Sequence, residues 1–389
     1  MKLLEETQLP ATVYVGPLKM IVFVEDPEDL EILLSDPNAM SKPYMYKFFK
    51  NDRGLVAAPA TLTDVDIDVQ EGKNQDYLNA VKAASLVVAT RVAKTIYHID
   101  WIFGLSKMYK IQMQSMGVIH NFFDRIIKMK WDSFDVVADA EQEKREELAL
   151  LNNEEIEQKP KIVINQLLRY WVKGHIDFTD VRGELDVMLY SASDTTTNLA
   201  SYTLLMLAMH PDIQEKAVRE LKQVFTSEDV SIDYDSIKQL QYLDMIIKET
   251  LRLFPVVPYI GREVTADVKL KNFTIPAGCA VGIPIMRINR NPKTWGSNAN
   301  LFNPDNFLPE NVAKRHPLQY LPFSGGPRNC IGMTYGLIAA RTIVAGILMN
   351  FRLTTSLKFQ DIRMVFNITL RIINENMLQL ERRQDFWSR

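Results

Sequence analysis

A lone cysteine in a glycine-rich turn ahead of an apolar helix constrains this chain more than any other feature. The stretch reads Phe323-Ser324-Gly325-Gly326-Pro327-Arg328-Asn329-Cys330-Ile331-Gly332. Leu337, Ile338, Val344, Ile347, Leu348 and Phe351 follow as the stripe of a helix expected from Cys330 or Ile331 to about Phe351. Paired glycines let the backbone turn tightly against a flat partner. A cysteine at a helix start faces the positive end of the dipole and unpaired N–H groups, which favour its thiolate and therefore metal ligation. Arg328 could pair with an anionic group. Taken alone, the stretch also allows a buried cysteine with no function.

The rest of the composition excludes more than it selects. The 389 residues, 47% hydrophobic and 24% charged, describe an ordinary globular chain. Net charge is -3 and no long Lys/Arg run occurs, which sets nucleic-acid binding aside. Cys279 and Cys330 form neither a disulfide framework nor a CxxC pair, and the five histidines never fall at HExxH spacing, so a reducing compartment and no zinc site are expected. Met1 to Thr7 holds two acids where a signal peptide or membrane anchor needs an apolar run, and no anchor is expected.

Periodicity predicts a mainly α fold with a small β part. Thr12 to Val15 and Met20 to Val24 read as a hairpin about Gly16-Pro17-Leu18-Lys19, and Asp26-Pro27-Glu28 starts a helix. Two amphipathic helices are expected from Asn74 to about Lys130, a solvated linker through Pro160, a helix capped by Asp180 and running to about Met209, and further helices through Phe254. The β-rich part gathers residues 10–25, 256–284 and 353–382, and the helical part 74–254 and 331–351.

Three other segments carry possible chemistry. Lys248-Glu249-Thr250-Leu251-Arg252 puts opposite charges on one helix face, which alone is an ordinary surface pair. Tyr190-Ser191-Ala192-Ser193-Asp194-Thr195-Thr196-Thr197 interrupts an apolar helix with an acid and three threonines, a poor choice for helix stability that a solvent face would also tolerate. Pro258-Tyr259-Ile260-Gly261-Arg262 reads as a strand entry.

Phe323, Gly326, Arg328, Cys330 and Gly332 together resemble the haem-binding loop of the cytochrome P-450 monooxygenases. The resemblance implies one domain over 1–389 with that fold. Phe323 would lie over the haem, Arg328 and Arg262 would reach propionates, and Cys330 would ligate the iron, where a thiolate favours O–O cleavage. Glu249 and Arg252 would brace the coil under the haem. The family often adds an arginine within Phe302 to Phe307, and Asn306 in that place implies a network one charge weaker. Asp194 and Thr195 would deliver protons to the dioxygen being reduced, with Ala192 replacing a more usual glycine.

Asp305 to Asn311 and His316 to Phe323 look most like the insect microsomal branch related to fatty-acid ω-hydroxylases. Ser191 stands where some of those carry a glutamate esterified to haem, which implies non-covalent haem b. The implied activity inserts one oxygen atom from O2 into an apolar lipid or xenobiotic, with electrons from a NADPH-dependent diflavin reductase, cytochrome b5 as a second donor, a monomeric state, and the cytosolic face of the endoplasmic reticulum membrane. Between Phe49 and Gln70 the chain is too short for several helices of the family, including a Trp-x-x-x-Arg segment that none of the five tryptophans reproduces. The fold is therefore expected to be incomplete there. Two other readings are a non-catalytic remnant, and a helical anion-binding protein using the Gly325-Gly326 turn.

Overall fold

The computed structural model describes residues 9–15, 19–49, 74–152, 162–227, 232–375, 377–384 and 386–387. The turn about Gly16-Pro17-Leu18, the linker before Pro160, the acidic N-terminal heptad and the short stretch from Lys50 to Gln70 lie outside them.

Among the described residues the longer helices are α1 (Pro27–Ser35), α2 (Gln75–Ala93), α3 (Lys107–Asp132), α4 (Val136–Asn152), α5 (Val163–Val172), α6 (Phe178–Met209), α7 (Pro211–Val224), α8 (Gln241–Leu253) and α9 (Met333–Asn350). Strands are few and short, as expected of a mainly α chain. The chain divides into two compact units, Met1–Tyr46 with Asp194–Arg389, and Lys47–Ser193, so that α6 contributes to both.

The unit of residues 47–193 packs α2, α3, α5 and the first half of α6 through Tyr77, Phe122, Phe123, Ile126, Ile127, Leu168 and Leu185. Tyr77 stacks on Phe122 at 4.2 Å between centroids. Two short helical turns, Thr95–His98 and Asp100–Gly104, join α2 to α3. They are organised by buried Arg91, which donates to Tyr97 O at 2.8 Å, pairs with Asp100, and lies 4.1 Å from the ring centroids of both Phe48 and Phe103. At the start of α6, Asp180 is not the cap. Asp177 Oδ1 accepts from Asp180 N–H at 2.9 Å and Asp180 Oδ2 from Asp177 N–H at 2.9 Å, a reciprocal box that starts the helix earlier than expected.

The other unit has a four-stranded sheet from β1 (Ala11–Val15), β2 (Lys19–Phe23), β3 (Ile260–Glu263) and β4 (Ala280–Ile283), in the order β1-β2-β4-β3. β2 runs parallel to β4, with Ile21 beside Ala280, and β3 antiparallel to it, with Arg262 beside Val281. The first strands of the sequence thus share a sheet with residues 260–283, while the C-terminal strands stand outside it. The C-terminal segment adds β5 (Phe351–Thr354), β6 (Met364–Asn367), β7 (Thr369–Ile372) and β8 (Gln379–Arg382), pairing β5 with β8 and β6 with β7.

The main core joins the second half of α6 to α7, α8 and α9 through Leu205, Met206, Leu221, Leu243, Ile247, Val344 and Leu348. Helix α9 is long and apolar enough to cross a bilayer, but Ala340, Val344, Ala345 and Leu348 pack in this core. Its first residue is Met333, with Gly332 at the cap, so Cys330 stands just ahead of the helix and not on it.

Candidate active site

The Cys330 loop is shaped from behind by α1. Gly326 has φ +70°, and a Cβ there would lie 2.0 Å from the Leu34 carbonyl oxygen. Its glycine is therefore required by handedness and by a backbone approach to α1. Ser324 is also left-handed, with φ 63°. The Cys330 N–H closes the turn on Phe323 O at 2.9 Å, and Phe323 packs half-buried against the main core. Burial pushes the Cys330 thiol above its ordinary value, and a hydrogen bond from the Gly332 N–H pulls it the other way. Desolvation outweighs that bond. The helix end alone therefore does not give the thiolate expected from sequence, and a metal cation would.

Arg262 stands beside this loop and Arg328 within it. Arg262 is 8% exposed and donates to Ser324 Oγ at 3.1 Å and to Gly261 O at 3.1 Å. Arg328 is exposed and donates to Met40 O at 3.3 Å. Burial lowers the Arg262 pKa from its ordinary value; Tyr46 pushes the other way and the Arg328 charge the same way. Neither has a carboxylate partner among the described residues. Ile331 is 65% exposed, and Met333 and Tyr335 also face outward. A flat apolar group with two acidic substituents, ligated through the sulfur, fits this combination: two uncompensated cations, uncovered apolar side chains and one available thiol. Haem is such a group.

Behind the loop, Glu249 and Arg252 are both 0% exposed, which removes the surface-pair reading. They are joined at 2.7 Å through Arg252 Nε and again at 2.7 Å through Nη2. Arg252 also donates to the carbonyls of Asn289 at 3.0 Å, Leu301 at 3.0 Å and Ala299. Glu249 Oε1 accepts from Asn303 N–H at 2.8 Å and Asn306 Nδ2 at 3.1 Å. The pair braces the coil over residues 289–306, a strut expected from the sequence.

Asp194 does not point freely into a pocket. It pairs with Arg371 and accepts from Thr369 Oγ1 at 2.8 Å and Asn198 Nδ2 at 3.3 Å. Arg371 and Thr369 sit on β7 and were not found from sequence, where one arginine in a short strand is a weak signal. The hydroxyl run that contains Thr195 does approach α9: a Cβ on Gly336 would lie 3.9 Å from Thr196 Oγ1.

Helical architecture with a small sheet part and a cysteine loop before a core helix narrow the class. The family profile described as Cytochrome P450 matches residues 60–378, and the chain belongs to that family, whose cofactor is haem. Among curated relatives, "Probable cytochrome P450 313a1" of Drosophila melanogaster is 40% identical over 224 residues, covering 57% of this chain and 46% of that protein. "Probable cytochrome P450 4ac1" of the same species is 32% identical over 317 residues, 81% of this chain and 59% of that protein. "Cytochrome P450 4c21" of Blattella germanica is 29% identical over 321 residues, 82% and 62% respectively. The insect resemblance read from the sequence is borne out. The chain spans about half the length of the curated relatives it matches.

Proposed function

We propose that this chain is one catalytic domain of a haem-thiolate monooxygenase that inserts an oxygen atom from O2 into an apolar lipid or xenobiotic. The carrying observation is the Cys330 loop with Arg262 beside it and Arg328 within it. Haem b, when bound, would supply dioxygen activation and electron transfer. Cys330 would hold the iron, Arg262 and Arg328 the propionates, and Phe323, Gly326 and Gly332 the ring face. Glu249 and Arg252 keep the supporting coil in place. Asp194 and Thr195 move protons, and the Asp194–Arg371 pair must open or shift for the carboxylate to serve. Haem is non-covalent, because Ser191 offers no carboxylate for an ester. Electrons come from a NADPH-dependent diflavin reductase, aided by cytochrome b5, and the protein works as a monomer at the cytosolic face of the endoplasmic reticulum.

The test is the reduced, carbon-monoxide-bound spectrum of the purified chain expressed with a haem precursor. A red-shifted thiolate Soret band is expected, and Cys330→Ser should abolish it. Haem that loads without the shift rules out Cys330 as ligand. A non-catalytic remnant is favoured by the short stretch before Gln70. It predicts a chain that loads haem weakly and consumes little NADPH with reductase present.

A further inference from the structure

We infer that Arg315 is the second cation of the Glu249 network, acting from beside Trp295 and through Asn306 where an arginine at position 306 would otherwise serve. Of the donors on the buried Glu249 carboxylate among the described residues, only Arg252 carries charge; Asn303 N–H and Asn306 Nδ2 are neutral. Arg252 is also shared among three backbone carbonyls. Arg315 Nη2 donates to Asn306 O at 2.6 Å. Asn306 therefore holds the carboxylate by its side chain and Arg315 by its backbone. The guanidinium carbons of Arg315 and Arg252 lie 4.3 Å and 4.7 Å from the Trp295 ring centroid, and Arg315 lies 5.3 Å from that of Phe307. A planar cation stacked on aromatic rings is fixed in place, and near buried groups its charge is poorly screened. The network is thus not one charge short, as position 306 alone implied. Its second charge stands nine residues further along the chain.

Other groups facing Glu249 do not supply this charge. Tyr320 is a buried phenol that donates to Lys248 O at 2.9 Å. Asp244, earlier on α8, is paired with Lys248 at 2.7 Å and Arg341 at 2.8 Å. Burial already raises the Glu249 pKa above its ordinary value, against the bonds from Arg252, Asn303 and Asn306. Losing Arg315 raises it further. The resulting loss of stability is full above the carboxylate range and shrinks as pH falls and Glu249 takes up a proton.

The experiment follows thermal unfolding of the full chain at pH 5 and pH 8, a readout that needs neither haem nor activity. Arg315→Met should lower the midpoint at pH 8 by about 3–6 °C. It should lose less at pH 5 than at pH 8, and less than half as much at pH 8 when Glu249→Gln is already present. Arg315→Lys, which keeps the charge, should stay near the parent. Equal losses at both pH values and in both backgrounds, or a lysine variant as weak as the methionine one, would overturn the inference and leave Arg315 a stacking residue only.

Discussion

At the scale of single residues, the cysteine loop depends on two adjacent glycines in different ways. A Cβ on Gly325 would meet side-chain ends of Leu318 and Leu34 at 3.3 Å, which can give way, whereas one on Gly326 would strike backbone in a left-handed conformation. Gly326→Ala is expected to cost about 2–4 kcal/mol and most of the haem loading, and Gly325→Ala less than about 1 kcal/mol. The haem-to-protein absorbance ratio of the two purified variants checks this, and equal ratios would refute it. Cys330, Glu249 and Arg252 were legible in the sequence because each belongs to a short fixed spacing. Arg315 and Arg371 were not, because what they pair with is set by folding: Arg371 meets an acid 177 positions away. Position 306 misled for a related reason, since the charge missing there is recovered by a neighbour that only the turn after Phe307 brings back.

At the scale of elements, the β6–β7 hairpin is fastened to α6 at three points. Arg371 and Thr369 hold Asp194, and the Tyr202 hydroxyl donates to Leu370 O. Leu370 N–H in turn donates to Val256 O at 2.8 Å. The acid that made α6 look poor as a helix is thus partly a fastening for the β6–β7 hairpin. Arg371→Leu strands a half-buried carboxylate, and the cost of about 1–2 kcal/mol should speed exchange of the Leu370 amide roughly ten-fold. Unchanged protection by hydrogen-exchange mass spectrometry would show that the ion pair does not anchor the hairpin. Most helices were legible because their apolar periodicity survives packing. The start of α9 was not, because the loop's own turn, and not the apolar stripe, decides where helical hydrogen bonds begin.

At the scale of the whole molecule, every residue assigned to haem binding or proton delivery belongs to the unit built from residues 1–46 and 194–389. Haem at 100-fold excess over its Kd should stabilise the folded state by about 2.7 kcal/mol. Exchange should slow in peptides covering residues 323–332, and haem titration without protection there would place the cofactor elsewhere. The fold class was legible from composition and periodicity, but the two-unit division was not, because its boundary falls inside the continuous helix α6. The close approach of Gly326 to Leu34 also has a meaning in time. Arg328 and its partner Met40 are 288 positions apart. At about 5–20 residues per second, the ribosome delivers the cysteine loop roughly 15–60 s after α1. Helix α1 must therefore wait, exposed, for the surface it will shape, and the nascent chain has no finished seat for haem until the cysteine loop has been made.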